Sequence, residues 1–169
     1  MVHPTSIFRR LALLSVAAAL AGPSLGSSLA SAHEYKAGSI EIDHPWSRAM
    51  PPGAKTGVGY LVLKNEGKGA DRLTSITSPV ATAVEVHDMS TPDGVMTMRK
   101  VDGGLALPPG EEAKLAPGGL HLMLVGVKEP FREGQMIPLE LSFEKAGTVE
   151  VQMKVDAMGA KGEHAAHTP

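Results

Sequence analysis

The chain contains no cysteine. That absence excludes disulfides, a thiol nucleophile, a Cys-x-x-Cys redox pair and a cysteine-ligated zinc site. It also excludes a blue-copper electron-transfer centre, which needs a thiolate. Aromatic residues are scarce, at three Phe, two Tyr and one Trp, so the core has to be mostly aliphatic. Positive charge is not in excess. Sixteen Lys and Arg stand against eighteen Asp and Glu, a formal net charge of −2 that argues against nucleic acid as a partner. Beyond the N-terminal 32 residues, no segment approaches the ~18 consecutive apolar residues of a membrane span.

Residues 1–32 read as a secretory signal peptide, cleaved after Ala32. Arg9 and Arg10 form the charged end, Leu11 to Leu20 the apolar run, and Ala30-Ser31-Ala32 the small-residue site before His33. The residues around the arginine pair fit a twin-arginine signal poorly, and a general secretory route to the periplasm is expected. Disulfides are permitted there, so a cysteine-free domain must be stabilised by packing alone. What remains is the right size for one domain, 33–156, expected to be a monomer. From Ala157 to Pro169 the apolar pattern dissolves into Gly, Ala, Lys, Glu and His, which reads as a disordered His-containing tail over 157–169.

Between these ends, short segments rich in Val, Ile, Leu and Thr recur between turns bearing Gly and Pro, and no long segment has helical periodicity. The pattern predicts strands over 39–42, 57–64, 73–77, 83–89, 95–101, 113–115, 121–127, 137–144 and 148–155. Eight or nine strands in so short a chain predict an all-β, two-sheet sandwich with Greek-key connections. Thr91-Pro92-Asp93-Gly94 has the composition of a type I turn, with Pro at the second position and Gly at the fourth.

Methionine is over-used, at nine residues. With the turn at 91–94, the simplest hairpin register pairs Ser90 with Val95, Met89 with Met96 and His87 with Met98. Side chains alternate along a strand, so His87 and Met89 share one face while Val84, Val86 and Asp88 share the other. His121 and Met123 are again two apart on one face, after a Gly118-Gly119 pair that lets the backbone turn sharply. Two imidazoles and two thioethers form a soft donor set that suits copper(I), whereas zinc prefers thiolate, imidazole or carboxylate. Any one of these residues alone is better read as packing or surface, since Met commonly fills irregular core gaps. The joint pattern is what points to a metal. Met89 and Met96 read as a hydrophobic wall beside the ion rather than as spare ligands. Met50, Met136 and His44 read as structural.

Ten residues separate His87 from Met98, and a further twenty-two precede His121-x-Met123. This order resembles the motif of the PCuAC family of periplasmic copper chaperones: His, ten residues, Met, about twenty-one residues, His-x-Met. The extra residue falls where a loop such as Pro108 to Gly110 can absorb it. Trp46-Ser47-Arg48-Ala49, Tyr60 to Asn65 and Val84-Glu85-Val86-His87-Asp88-Met89 resemble the family too, and the likeness runs from about Ile40 to Val155. The resemblance implies a cupredoxin-like β-sandwich binding one copper(I). It further implies delivery to the copper-site subunit of a respiratory oxidase, often beside a thioredoxin-like thiol protein.

Copper scavenging or resistance is the nearest alternative, differing only in who receives the ion. An enzyme is not expected, because no Ser/His/Asp arrangement or carboxylate pair with acid–base spacing is present. A copper-dependent oxidase built on an N-terminal His33, with His44 as second imidazole, is the alternative of a different class. In the tail, His164 and His167 suit copper(II), which accepts nitrogen donors readily and heads the divalent affinity order.

Overall fold

In the computed structural model, residues 35–162 are described. The signal segment, His33, His164 and His167 lie outside them. The described residues form eleven strands and no α-helix: β1 (Tyr35–Ala37), β2 (Ile40–Arg48), β3 (Thr56–Asn65), β4 (Asp71–Thr77), β5 (Ala83–Ser90), β6 (Thr97–Lys100), β7 (Leu105–Leu107), β8 (Glu112–Leu115), β9 (His121–Val125), β10 (Met136–Phe143) and β11 (Gly147–Asp156). No helix among them is long and apolar enough to cross a membrane.

Seven strands close on themselves. Their order is β2, β11, β10, β4, β5, β9, β3, and β3 pairs back with β2. The β11–β2 contact is parallel and the other barrel contacts are antiparallel. Closure removes the open edges that a free sheet would expose. Shorter strands extend the walls: β1 on β2, β6 on β5, β7 on β4 and β8 on β3.

Alternation puts Ile137, Leu139, Leu141 and Phe143 of β10 inside, and likewise Leu122 and Leu124 of β9. The interior is mostly aliphatic, with Phe131 the largest fully buried side chain. Gly59 of β3 permits a close approach: a Cβ there would lie 2.7 Å from Met153 Sδ and 3.3 Å from Leu122 Cβ. Small residues in β3 therefore let β9 sit tightly against it, which fixes the strand that carries His121 and Met123.

Several elements differ from the sequence expectation. β2 runs on to Arg48 through Pro45, accommodated by a register break between Asp43 and Trp46 at which His44 takes φ 48°. Pro lacks an N–H, and a bulge is where a strand tolerates it. β1 and β7, each three residues long, are too short to announce themselves by periodicity. The 83–101 hairpin is not tight: Met89 pairs with Met98 and His87 with Lys100. The expected His87–Met98 pairing is thus displaced by two residues, because Pro92–Gly94 form a 3-10 turn with Asp93 at φ 52° and Val95 and Met96 prolong the loop.

The C-terminal segment is anchored as far as it is described. Arg48 lies over Trp46 and Tyr60, 5.7 and 5.5 Å from the ring centres, and its Nε donates to Ala160 O at 2.7 Å. Gly162 rests against the Trp46 indole. Residues 157–162, expected as the start of a disordered tail, are held by this contact.

Candidate functional site

Strands β5 and β9 are neighbours, a pairing invisible to local sequence reading. Their register sets His87 directly opposite His121 and Glu85 opposite Met123. Directly paired residues project to one side, so Glu85, His87 and Met89 share a face with His121 and Met123. Val84, Val86, Leu122 and Leu124 point the other way into the core. On the far side of β5, Met98 and Lys100 of β6 pair with Met89 and His87 and join the same outer face. The two-residue displacement of the hairpin preserves parity. All four residues singled out by sequence, His87, Met98, His121 and Met123, therefore stand on one face across three adjacent strands.

The two imidazole centres are 6.0 Å apart with planes tilted by 42°. One ion with metal–nitrogen bonds of about 2 Å can be shared between rings so placed after small rotations. Neither ring is loosely held. His121 is only 4% exposed, and its Nδ1 lies 2.9 Å from the Gly119 carbonyl, which fixes the proton on Nδ1 and leaves the Nε2 lone pair free. The same carbonyl accepts the Met89 N–H at 3.3 Å. The Nε2 of His87 lies 2.9 Å from Glu85 Oε2, and the His87 Nδ1 is buried with no hydrogen-bond partner among the described residues. Each ring thus has one nitrogen tied to the protein and one nitrogen left over.

Glu85 is itself bridged. Lys100 Nζ donates to its Oε1 at 2.7 Å, and the Lys100 ammonium first and His87 second hold the Glu85 carboxyl below the usual carboxylate range. Sequence reading passed over Glu85 and the Gly119 carbonyl as functional groups. The signal for Glu85 was present in its position two residues before His87 on one strand face; that for Gly119 was not, since a carbonyl has no sequence signature.

Exposure grades across the site. Met98 is 47% exposed, Met123 is half-buried, and Met96 at the hairpin tip is 69% exposed. Met89 is half-buried opposite Met98, whereas Met96 stands beyond the end of β6 and does not wall the face. Met50 packs against the core, while Met136 at the start of β10 is exposed. His44 sits on β2, a strand that pairs with neither β5 nor β9. Among the described residues, no three His, Asp or Glu side chains cluster as a hard-ligand metal site would require. The face offers nitrogen and sulfur donors.

Comparison with known proteins agrees with the resemblance read from the sequence. The LpqE-like family, which is the PCuAC family, matches residues 40–155. The chain belongs to that family. A curated relative, "Putative lipoprotein Lxx21020" of Leifsonia xyli subsp. xyli, is 31% identical over 129 residues, spanning 76% of each chain. Among solved structures, the copper-bound PCuAC domain from PmoF2 is 32% identical, with a TM-score of 0.63 over 74% of this chain and 98% of that one. The apo PmoF2 PCuAC domain is 33% identical, with a TM-score of 0.66 over 76% of this chain and 98% of that one. The fold is the cupredoxin-like β fold of these domains.

Proposed function

We propose that this protein is an exported copper chaperone that holds one copper(I) ion between His87, Met98, His121 and Met123. The observation that carries the reading is the pair of facing imidazoles, each with one nitrogen tied down and the other unclaimed among the described residues, on a face shared with two methionines. Thioether sulfur is neutral and soft, so two such donors favour copper(I) over harder ions. The PmoF2 relative, whose structure is described as copper-bound, supports the same metal.

Partial exposure suits transfer rather than storage. Met98 lies near the open side of the face, where a partner's ligand can displace it, while His121 stays buried. The recipient we propose is the copper-site subunit of a respiratory oxidase in the periplasm, with a thioredoxin-like thiol protein as companion. Residues 1–32 would be the signal peptide, and the tail over 157–169 would take copper(II) at His164 and His167.

A competition titration of the mature protein with copper(I), copper(II) and zinc tests the metal. One equivalent of tightly bound copper(I), weakened on substituting any of the four residues, is the expected result. Incubating the loaded protein with an isolated oxidase copper-site domain then tests delivery. Copper retained by the donor would point to scavenging instead.

A further inference from the structure

We infer that Glu85 is a positioning residue that selects which nitrogen of His87 takes the metal: it holds the proton on Nε2, so copper is bound through Nδ1 of His87 but through Nε2 of His121. This rests on the copper-site reading above and adds the ligating atoms and the residue that sets them.

The geometry is asymmetric between the two imidazoles. His121 is fixed through Nδ1 by a backbone carbonyl, the Gly119 oxygen at 2.9 Å. His87 is fixed through the other nitrogen by a side-chain carboxylate, Glu85 Oε2 at 2.9 Å. A neutral imidazole carries one N–H and one lone pair, so the nitrogen facing a carboxylate keeps the hydrogen and the remaining nitrogen keeps the lone pair. For His87 that remaining atom is Nδ1, which is buried and unbonded among the described residues. Buried polar atoms without a partner are rare, and a ligand is one of the few explanations for them.

Glu85 can do this because it is fixed in turn. Lys100, the cross-strand partner of His87 on β6, donates to Glu85 Oε1 at 2.7 Å and leaves Oε2 for the imidazole. Lys100, Glu85 and His87 form a chain across two paired strands that sets ring orientation as well as tautomer. Carboxylate partners of metal-binding imidazoles act in this way, and their loss lowers metal affinity by roughly 10–100-fold.

The test uses proton–nitrogen correlation spectra of the imidazoles, recorded on the mature protein before and after loading with copper(I), beside a copper(I) competition titration. In the parent protein, His87 should carry its proton on Nε2, and loading should shift Nδ1 of His87 and Nε2 of His121. Glu85→Ala should mix the His87 tautomers and weaken copper(I) about 10–100-fold while the His121 tautomer stays unchanged. Glu85→Gln keeps the shape and an acceptor oxygen; it should fall between the two and covers the case in which the alanine variant fails to fold. The inference is overturned if loading shifts Nε2 of His87, or if both variants keep the parental tautomer and affinity. Should loading move neither ring of the parent, the copper-site reading falls and the ligating-atom assignment with it. Where both rings respond and only the Glu85 variants are silent, the site stands and this inference alone fails.

Discussion

The carbonyl of Gly119 is a shared acceptor: it takes the ring N–H of His121 at 2.9 Å and the backbone N–H of Met89 at 3.3 Å. One peptide group therefore ties the loop before β9 to strand β5 and sets the orientation of the most buried candidate ligand. The loop reaches this position by a turn with the signature of type II. Pro117 and Gly118 are its central residues, Gly119 N donates to Ala116 O at 3.2 Å, and Gly118 takes φ 88°.

Gly118→Ala is predicted to act through this turn. Among the described residues, no atom beyond the immediate chain neighbours lies within 4 Å of the added Cβ, so the cost is backbone strain alone, about 1–2 kcal/mol. If the turn relaxes, the Gly119 carbonyl moves away from His121. Urea unfolding should show the stability loss, and a copper(I) titration should show weakened binding. A variant with parental copper(I) affinity would mean that the turn does not orient His121.

The two methionines can be separated from their neighbours. Leu conserves the volume of Met and removes the sulfur, so Met98→Leu and Met123→Leu should each cost less than about 1.5 kcal/mol of fold stability. Met98 is already 47% exposed, and its cost should be the smaller of the two. Both should reduce copper(I) affinity by at least about tenfold, equivalent to ~1.4 kcal/mol. Met89→Leu, at the position paired with Met98, should leave it unchanged. If Met89→Leu weakens binding and Met98→Leu does not, the thioether ligand has been assigned to the wrong strand of the hairpin.

Much of this site could be read from the chain because a strand has period two. That His87 shares a face with Met89, and His121 with Met123, follows from spacing alone. Which strand lies beside which does not. The β5–β9 pairing that puts His87 opposite His121 joins segments more than thirty positions apart and leaves no local trace. The hairpin register is not legible in the same way, because Thr91 to Gly94 has the composition of a tight turn, yet Asp93 adopts a left-handed conformation and Val95 and Met96 extend the loop. An error of two residues kept every side chain on its face, whereas an error of one would have reversed them all. The sequence pattern ends β2 at Ile42 for a comparable reason, since Pro45 argues against a strand and the bulge at His44 that accommodates it has no local signature. The seven-strand closure is equally non-local, depending on the return pairing of β3 with β2.

Acid should weaken the fold through Asp71. Burial raises its carboxyl pKa, but the backbone N–H groups of Arg72, Lys145 and Ala146, at 2.7, 3.0 and 2.9 Å, more than offset that, so the net displacement is downward. A group whose folded value lies below its unfolded value stabilises the fold at higher pH, and this contribution is lost as pH falls. The loss should begin near the unfolded value of about 3.9 and continue through the lower folded one. Asp71→Asn loses one acceptor at Ala146 N–H and should be less stable at pH 7, by at least about 1 kcal/mol. Its urea midpoint should also fall less steeply than the parent's between pH 5 and pH 3, and identical slopes would remove Asp71 as the source.

The proposed copper(II) role of the tail can be tested without disturbing the fold. Residues up to Gly162 contribute contacts, since Arg48 binds Ala160 O and the Trp46 indole lies under Gly162. Truncation after Asp156 would remove those contacts together with the tail histidines and confound the result. Truncation after Gly162 keeps the contacts and removes His164 and His167. Two imidazoles three residues apart suit copper(II). The shortened protein should keep its thermal midpoint and its single copper(I) equivalent while losing at least one equivalent of copper(II). Retention of full copper(II) capacity would assign that ion to the four-residue face or to His33 instead. Loss of copper(I) as well would mean that the tail completes the site.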